Sequence, residues 1–277
     1  QKYIGQFRLI DEIGSGGMGI IYKAHSIRDK TNTAAIKVLK QELFKDETSR
    51  KRFKQEAAII DKLDHPNIIK IIERGEYKEK LFLAMELLQG KTLNVKIDEQ
   101  GKMELKGCLH IMIQISDALV LIHGKNIIHR DLKPANIMLI ERDGDPNFVK
   151  LLDFGLARMK FQTRITRTGI LMGTLNYMSP EQLAHSEFSS ASDVYSLGVT
   201  FYEIVTGKIA FPGDTANEIM RQVLDTTPIE PRRFRPDIPG ELNDLIMKML
   251  GKDKESRPVI KDVFENLQKI QDTIRVE

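Results

Sequence analysis

The apolar residues of this 277-residue chain change period once, and that change limits the available folds more than any other feature. From residue 1 to about 87, short β-type runs alternate with turn signals: Phe7 to Ile10, Gly19 to Ala24, Thr33 to Leu39, Ile68 to Glu73 and Leu81 to Met85. These predict a five-stranded antiparallel sheet built of hairpins. One interruption, from about Thr48 to Leu63, carries Phe53, Ala57, Ile60 and Leu63 at helical spacing among charges and predicts one main helix on that sheet. From Thr92 the spacing is mostly helical, with segments over Leu105 to Gly124, Ala191 to Thr206, Asn217 to Leu224, Pro239 to Leu250 and Val259 to Ile274. Two short strands, Ile137 to Ile140 and Phe148 to Leu152, flank a hairpin loop at Asp143-Gly144-Asp145-Pro146. The expectation is an α+β chain of two lobes, 1–88 and 89–277, with Gln89-Gly90 as a hinge.

Composition narrows the function classes. A formal charge of +3 supplies no basic field for nucleic acid or an anionic membrane, so no nucleic-acid partner is expected. With 41% apolar and 29% charged residues the chain reads as globular. The single cysteine, Cys108, cannot form an internal disulfide and reads as a buried structural thiol in a reducing compartment. No uninterrupted apolar run approaches the ~18 to 20 residues of a spanning helix, and the start lacks a signal-peptide layout. The chain begins at Gln1, which suggests a piece of a longer protein; the expected location is cytoplasmic, with a membrane anchor outside this stretch left open.

Gly14-Ser15-Gly16-Gly17-Met18-Gly19 fits G-x-G-x-x-G, where missing side chains let backbone N–H groups close on phosphate oxygens. By itself the pattern also fits a glycine-rich turn with no ligand. A dinucleotide-binding unit would place a helix after the glycines. Here Ile20-Ile21-Tyr22-Lys23-Ala24 is β-type, which argues against a nucleotide-binding oxidoreductase. No Gly-Lys-Ser/Thr follows, so the loop is not a Walker A.

Four further motifs follow in order: Ala35-Ile36-Lys37, His129-Arg130-Asp131-Leu132-Lys133-Pro134-Ala135-Asn136, Asp153-Phe154-Gly155 and Ser179-Pro180-Glu181. With the glycines they match the protein-kinase signature set. The chain resembles the eukaryotic-like serine/threonine protein kinases over nearly its whole length. Met18 and the Thr-x-Thr at Thr166 and Thr168 make it most similar to bacterial members. The resemblance implies a bilobal kinase fold, with 1–88 carrying the Gly-rich loop, the lysine strand and helix C, and 89–277 the catalytic loop, activation segment and substrate-docking surface. It implies transfer of the γ-phosphoryl group of ATP to Ser/Thr hydroxyls of protein substrates, with Mg2+ as cofactor and Mn2+ as an alternative.

Roles then carry over position by position. Lys37 resembles the lysine on the α- and β-phosphates, and its partner is expected to be Glu56, 19 residues on, whose inward placement would switch the enzyme. Asp131 resembles the residue that orients the hydroxyl and accepts its proton, and Lys133 the one that steadies the transferring phosphate in serine/threonine-specific members. Asn136 and Asp153 resemble the Mg2+ ligands, with Asp153 the principal one. By resemblance His129 is a packing residue, stacked with Ile60, Ile71 and Phe154 in a column standing on Asp193. For ATP, the resemblance assigns Ile13, Gly14, Ser15, Gly16, Gly17, Met18 and Gly19 to the loop and Ile21, Ala35 and Met138 to the adenine walls. Met85 would guard the back of the pocket, and the backbone from Glu86 to Leu88 would offer the hydrogen-bonding edge.

Residues 156 to 178 resemble the segment that covers or frees the substrate groove. Thr174 resembles the structural threonine of the docking loop. Thr166 and Thr168 stand where bacterial members carry autophosphorylated threonines, unmodified loop threonines being the alternative. Arg130 could pair with such a phosphate. Ser-Pro-Glu replaces the commoner Ala-Pro-Glu, a small-for-small change that leaves Glu181 to pair with Arg257. Rival readings are a pseudokinase scaffold, against which Lys37, Glu56, Asp131, Asn136 and Asp153 are all of the active type, and an aminoglycoside- or lipid-directed kinase, against which the docking-loop motifs speak. A homodimer through the first lobe is common among such relatives and is carried as an expectation.

Overall fold

The computed structural model describes residues 2–16, 19–41, 47, 50, 51, 54, 58, 61–153 and 172–276. The chain divides into two compact units between Gln89 and Gly90.

The first unit is an antiparallel sheet in the order β1-β2-β3-β4-β6-β5, formed by β1 (Tyr3–Ile4), β2 (Phe7–Ser15), β3 (Gly19–Ser26), β4 (Thr33–Leu39), β5 (Ile71–Tyr77) and β6 (Lys80–Glu86). Six strands replace the five expected. The addition, β1, is two residues long and pairs Tyr3 with Arg8 and Ile4 with Phe7. A strand so short leaves no periodicity to read. β2 runs past Ile10 because register shifts at Leu9/Asp11 and Glu12/Gly14 absorb its broken alternation.

Register sorts the sheet into two faces, since directly opposed residues share a face and neighbours along a strand do not. One face packs Ile4, Phe7, Ala24, Ala34, Ile36, Phe82 and Ala84 into a buried cluster. Gly75 makes room for it: a Cβ there would lie 2.8 Å from the Phe82 ring. Full burial of its Ile and Phe side chains contributes roughly 1.5–3 kcal/mol each. The other face carries Ile21 opposite Lys37, Lys37 opposite Leu83, and Ala35 opposite Met85. Of the expected Thr48–Leu63 helix, residues 50, 51, 54 and 58 are helical, while Phe53, Ala57 and Ile60 lie outside the described residues.

The second unit holds a small sheet, β7 (Gly90–Thr92), β8 (Ile137–Arg142) and β9 (Asp145–Leu151), in that order. Its helices are α1 (Leu93–Gln100), α2 (Leu105–Gly124), α3 (Met172–Leu175), α4 (Pro180–His185), α5 (Ser190–Thr206), α6 (Ala216–Asp225), α7 (Gly240–Met249) and α8 (Ile260–Val276). The β8–β9 loop is tighter than expected: Asp143 and Gly144, with φ of +53° and +84°, make the whole turn, and Pro146 falls inside β9. Proline is tolerated there because β9 is an edge strand. The exposed edge is met by Gln114 of α2, whose Oε1 accepts Val149 N–H at 2.9 Å and whose Nε2 donates to Asn147 O at 3.1 Å.

α2 is long and apolar enough, at 20 residues, to cross a bilayer by length and composition alone. Lys106, His110, Gln114 and Asp117 interrupt its apolar run, and its buried residues, from Cys108 to Ile122, pack against β9, α5 and α8 as a core helix. Cys108 is buried, as the sequence suggests, and burial pushes its thiol up to about 11. α5 begins at a Ser189/Ser192 capping box and ends at Gly207, φ +67°.

Candidate functional site

The His129-to-Asn136 stretch is anchored from below by Asp193, in the first turn of α5 and 1% exposed. Its Oδ2 accepts the His129 N–H at 2.7 Å and its Oδ1 accepts the Arg130 N–H at 2.9 Å. These bonds hold Arg130 at φ +68°, a left-handed conformation that costs a non-glycine residue on the order of 1–2 kcal/mol. His129 is fully buried, and its Nε2 lies 3.1 Å from the Leu152 carbonyl, which can only accept, so Nε2 carries the proton. Burial lowers the imidazole pKa against the pull of nearby Asp193 and Asp131, keeping the ring neutral. His129 is thus held from Asp193 through its backbone, while Ile60 and Phe154, which the expected column also needs, lie outside the described residues.

Beyond that anchor the chain turns through Pro134–Asn136 and enters β8. Asn136 Nδ2 donates to the Asp131 carbonyl at 2.7 Å, closing the loop on itself. Lys133 Nζ lies 3.3 Å from Asp131 Oδ1 and donates to Thr174 Oγ1 at 3.2 Å. Leu152 N–H donates to Asn136 O at 2.9 Å, which brings Asp153, at φ +39°, next to the same loop. The second unit therefore collects Asp131, Lys133, Asn136, Asp153 and Thr174. Met138, half-buried on β8, stands opposite Thr92 and Lys150.

In the first unit, Gly14 pairs with Ile21 and Ser15 with Ile20, while Gly16 N–H donates to Gly19 O at 2.9 Å. The three described glycines differ. A Cβ on Gly19 would lie 2.1 Å from Val38 O, so packing alone demands glycine there. Among the described residues a Cβ on Gly16 would meet nothing within 4 Å and one on Gly14 only the Ile21 side chain at 3.9 Å. Lys37 is 6% exposed, and Ala35 and Met85 are buried beside it on the same face, with Ile21 half-buried. Glu86 Oε1 accepts Lys70 N–H at 2.8 Å; Leu88 is half-buried and Ile13 exposed. Gly17, Met18, Glu56, Phe154, Thr166 and Thr168 lie outside the described residues.

Below the loop, Arg257 Nη1 and Nη2 donate to Glu181 Oε1 and Oε2 at 2.7 and 2.9 Å, the bidentate pair the motif implies. Ser192 Oγ adds a donor to Oε1 at 2.7 Å. Burial opposes ionisation of Glu181, but these donors outweigh it and hold the carboxyl at about 2. Tyr177 hydrogen-bonds Glu203, and Ser196 Oγ donates to Tyr177 O at 2.7 Å, so the segment after Thr174 is tied to α5. His123, bonded to Asp193, is a contact that the motif reading did not single out, since it lies upstream of the His-Arg-Asp string.

The family profile described as "Protein kinase domain" matches residues 7–267. This chain belongs to that family. The kinase domain is 36% identical over 253 residues to the serine/threonine-protein kinase PrkC of Bacillus subtilis, spanning 91% of this chain and 38% of that protein. It is 38% identical over 259 residues to the serine/threonine-protein kinase PknA of Mycobacterium tuberculosis, spanning 91% of this chain and 58% of PknA. A probable serine/threonine-protein kinase of Clostridium perfringens is 36% identical over 272 residues, 98% of this chain and 39% of that relative. The chain thus spans only part of the length of these curated relatives. Among solved structures, Rad53 1–466 in complex with AMP-PNP matches with a TM-score of 0.78 at 30% identity, covering 94% of this chain and 64% of that one.

Proposed function

We propose that this domain is an ATP-dependent serine/threonine protein kinase that transfers the γ-phosphoryl group to hydroxyls of protein substrates. The observation that carries the reading is the Lys133 ammonium placed between Asp131 and Thr174, at 3.3 and 3.2 Å. An acceptor hydroxyl brought to Asp131 meets a carboxylate to take its proton, and beside it a cation to steady the phosphoryl oxygens as they gain charge. His129 is not read as the base, because its ring is fully buried and out of reach of an incoming hydroxyl.

The nucleotide assignment is supported by the glycines and by the likeness to a structure holding AMP-PNP. Among the described residues Gly14 and Gly16 have room for a side chain, so their glycine identity is explained by a ligand that needs the backbone to approach closely. In this reading Ile13, Gly14 to Gly19, Ile21, Ala35, Met85, Glu86, Leu88 and Met138 contact ATP, and Lys37, paired with Glu56, contacts its phosphates. Asn136 and Asp153 suit a hard cation: the Asn136 amide uses its Nδ2 on the Asp131 carbonyl, which leaves its Oδ1 as an oxygen ligand, and the Asp153 carboxylate would supply the other. Bound Mg2+ would neutralise phosphate charge there. Thr166 and Thr168 are proposed autophosphorylation sites that activate the enzyme through Arg130. The domain is placed in the cytoplasm, divided as 1–88 and 89–277, with the first part as a homodimer surface.

The test is incubation with Mg2+, γ-labelled ATP and a protein substrate, followed by phosphoamino-acid analysis, for wild type and Lys37→Met. Label on serine and threonine that drops about 100-fold or more in the variant is expected. Label on tyrosine alone, or equal labelling by both proteins, contradicts the reading.

A further inference from the structure

The segment from Thr174 to Met178 is tied down near both ends. Thr174 Oγ1 accepts from the Lys133 ammonium, and Tyr177 is bound to α5 through Glu203 and Ser196. Between these ties Asn176, 4% exposed, is bonded to a further part of the chain: its Nδ2 donates at 2.8 Å to the carbonyl of Phe211, in the connection between α5 and α6. A carbonyl only accepts, so the amide nitrogen is the atom that faces it. Phe211 is itself held firmly. Its fully buried ring stacks on Tyr195 with centroids 6.2 Å apart, and the Lys252 ammonium lies 4.2 Å from its centroid. Lys252 also donates to Val223 O at 2.6 Å near the end of α6, and α6 packs against α3 and α4, which flank Asn176.

We infer that Asn176 is a positioning residue for the protein substrate: by fastening the 174–178 segment to the Phe211 carbonyl, it fixes the surface over which the acceptor peptide runs. A hydroxyl brought to Asp131 lies beside Lys133, and Lys133 touches Thr174, so the polypeptide carrying that hydroxyl passes over this segment. Buried Leu175 holds the segment down without setting its pitch, because apolar burial has no direction. The Asn176 bond is directional and does set it. A surface ordered before the peptide arrives loses less freedom on binding, so the bond acts through preorganisation. Asp131 and Lys133 keep their own contact whatever Asn176 does, which puts the consequence on peptide binding more than on the chemical step. This consequence rests on the kinase reading above.

The experiment compares Asn176→Asp, which keeps the shape and turns the donor into an acceptor, with Asn176→Ala, which removes the group. Steady-state kinetics with casein as the protein substrate are measured beside amide hydrogen exchange on the whole domain. Both variants are expected to raise the KM for casein about tenfold, with kcat changed less than about threefold and the KM for ATP less than about twofold. Exchange at the Tyr177 and Met178 amides, which donate to Thr174 O and Leu175 O, should speed about tenfold. An unchanged KM for casein in both variants overturns the inference, as does an equal rise in the KM for ATP, the mark of a general defect. A wild-type domain without phosphoryl transfer would overturn the kinase reading instead, and unchanged exchange at Tyr177 and Met178 would then overturn the role of Asn176 by itself.

Discussion

Glu181 is a carboxylate whose burial works against its charge, and Arg257 and Ser192 hold it ionised regardless, at about 2 rather than 4.5. Because the folded-state value is depressed, the stabilisation is complete above the unfolded value of 4.5 and is lost as pH falls from there through about 2. Glu181→Gln should therefore show a stability deficit in urea unfolding near neutrality that narrows as pH is lowered across that window; a constant deficit would contradict the assignment. Arg257→Ala should cost more, about 3–5 kcal/mol, since it strands the buried carboxylate and empties the guanidinium contacts to Gly251, Ala191 and Lys252 carbonyls. The small-for-small change at Ser179 leaves this pair intact, and the Ser179 N–H donates to Gln182 Oε1 at 2.8 Å where α4 begins.

At the scale of elements, the Gly-rich hairpin joins two kinds of glycine. Gly19 answers to packing against Val38, and Gly16 to nothing among the described residues. Gly19→Ala should lower stability by about 1–3 kcal/mol in chemical unfolding. Gly16→Ala should leave the unfolding midpoint unchanged and weaken ATP binding by calorimetry; unaltered binding would return the loop to a ligand-free turn. The same contrast shows where sequence reading reaches its limit. The strands β3, β4 and β6 were legible as short apolar runs bounded by turn signals, while their two faces follow only from register, since β6 is buried from Leu81 to Met85 without alternation. β1, α3 and the start of β9 were not: two- and four-residue elements carry no period, and Pro146 argues for a loop unless the strand is known to be an edge. α1 also went unassigned, with Leu93 and Ile97 its only two buried residues.

For the whole molecule, the chain order of motifs made the family legible, while the supports of the site were not. Asp131, Lys133 and Asn136 are close in sequence and could be named together. Asp193 and His123, on two separate helices, converge on that loop only through folding. Control of the enzyme belongs to this scale as well: replacing both Thr166 and Thr168 with Ala should sharply lower activity towards an added substrate, and unchanged activity with unchanged phosphate content would remove those residues from the regulatory account. Asp131 as acceptor of the substrate proton is tested most directly by the turnover of Asp131→Asn beside its ATP affinity. A fall in kcat of about 100-fold or more with ATP binding retained is the predicted result; turnover within about twofold of wild type would contradict it.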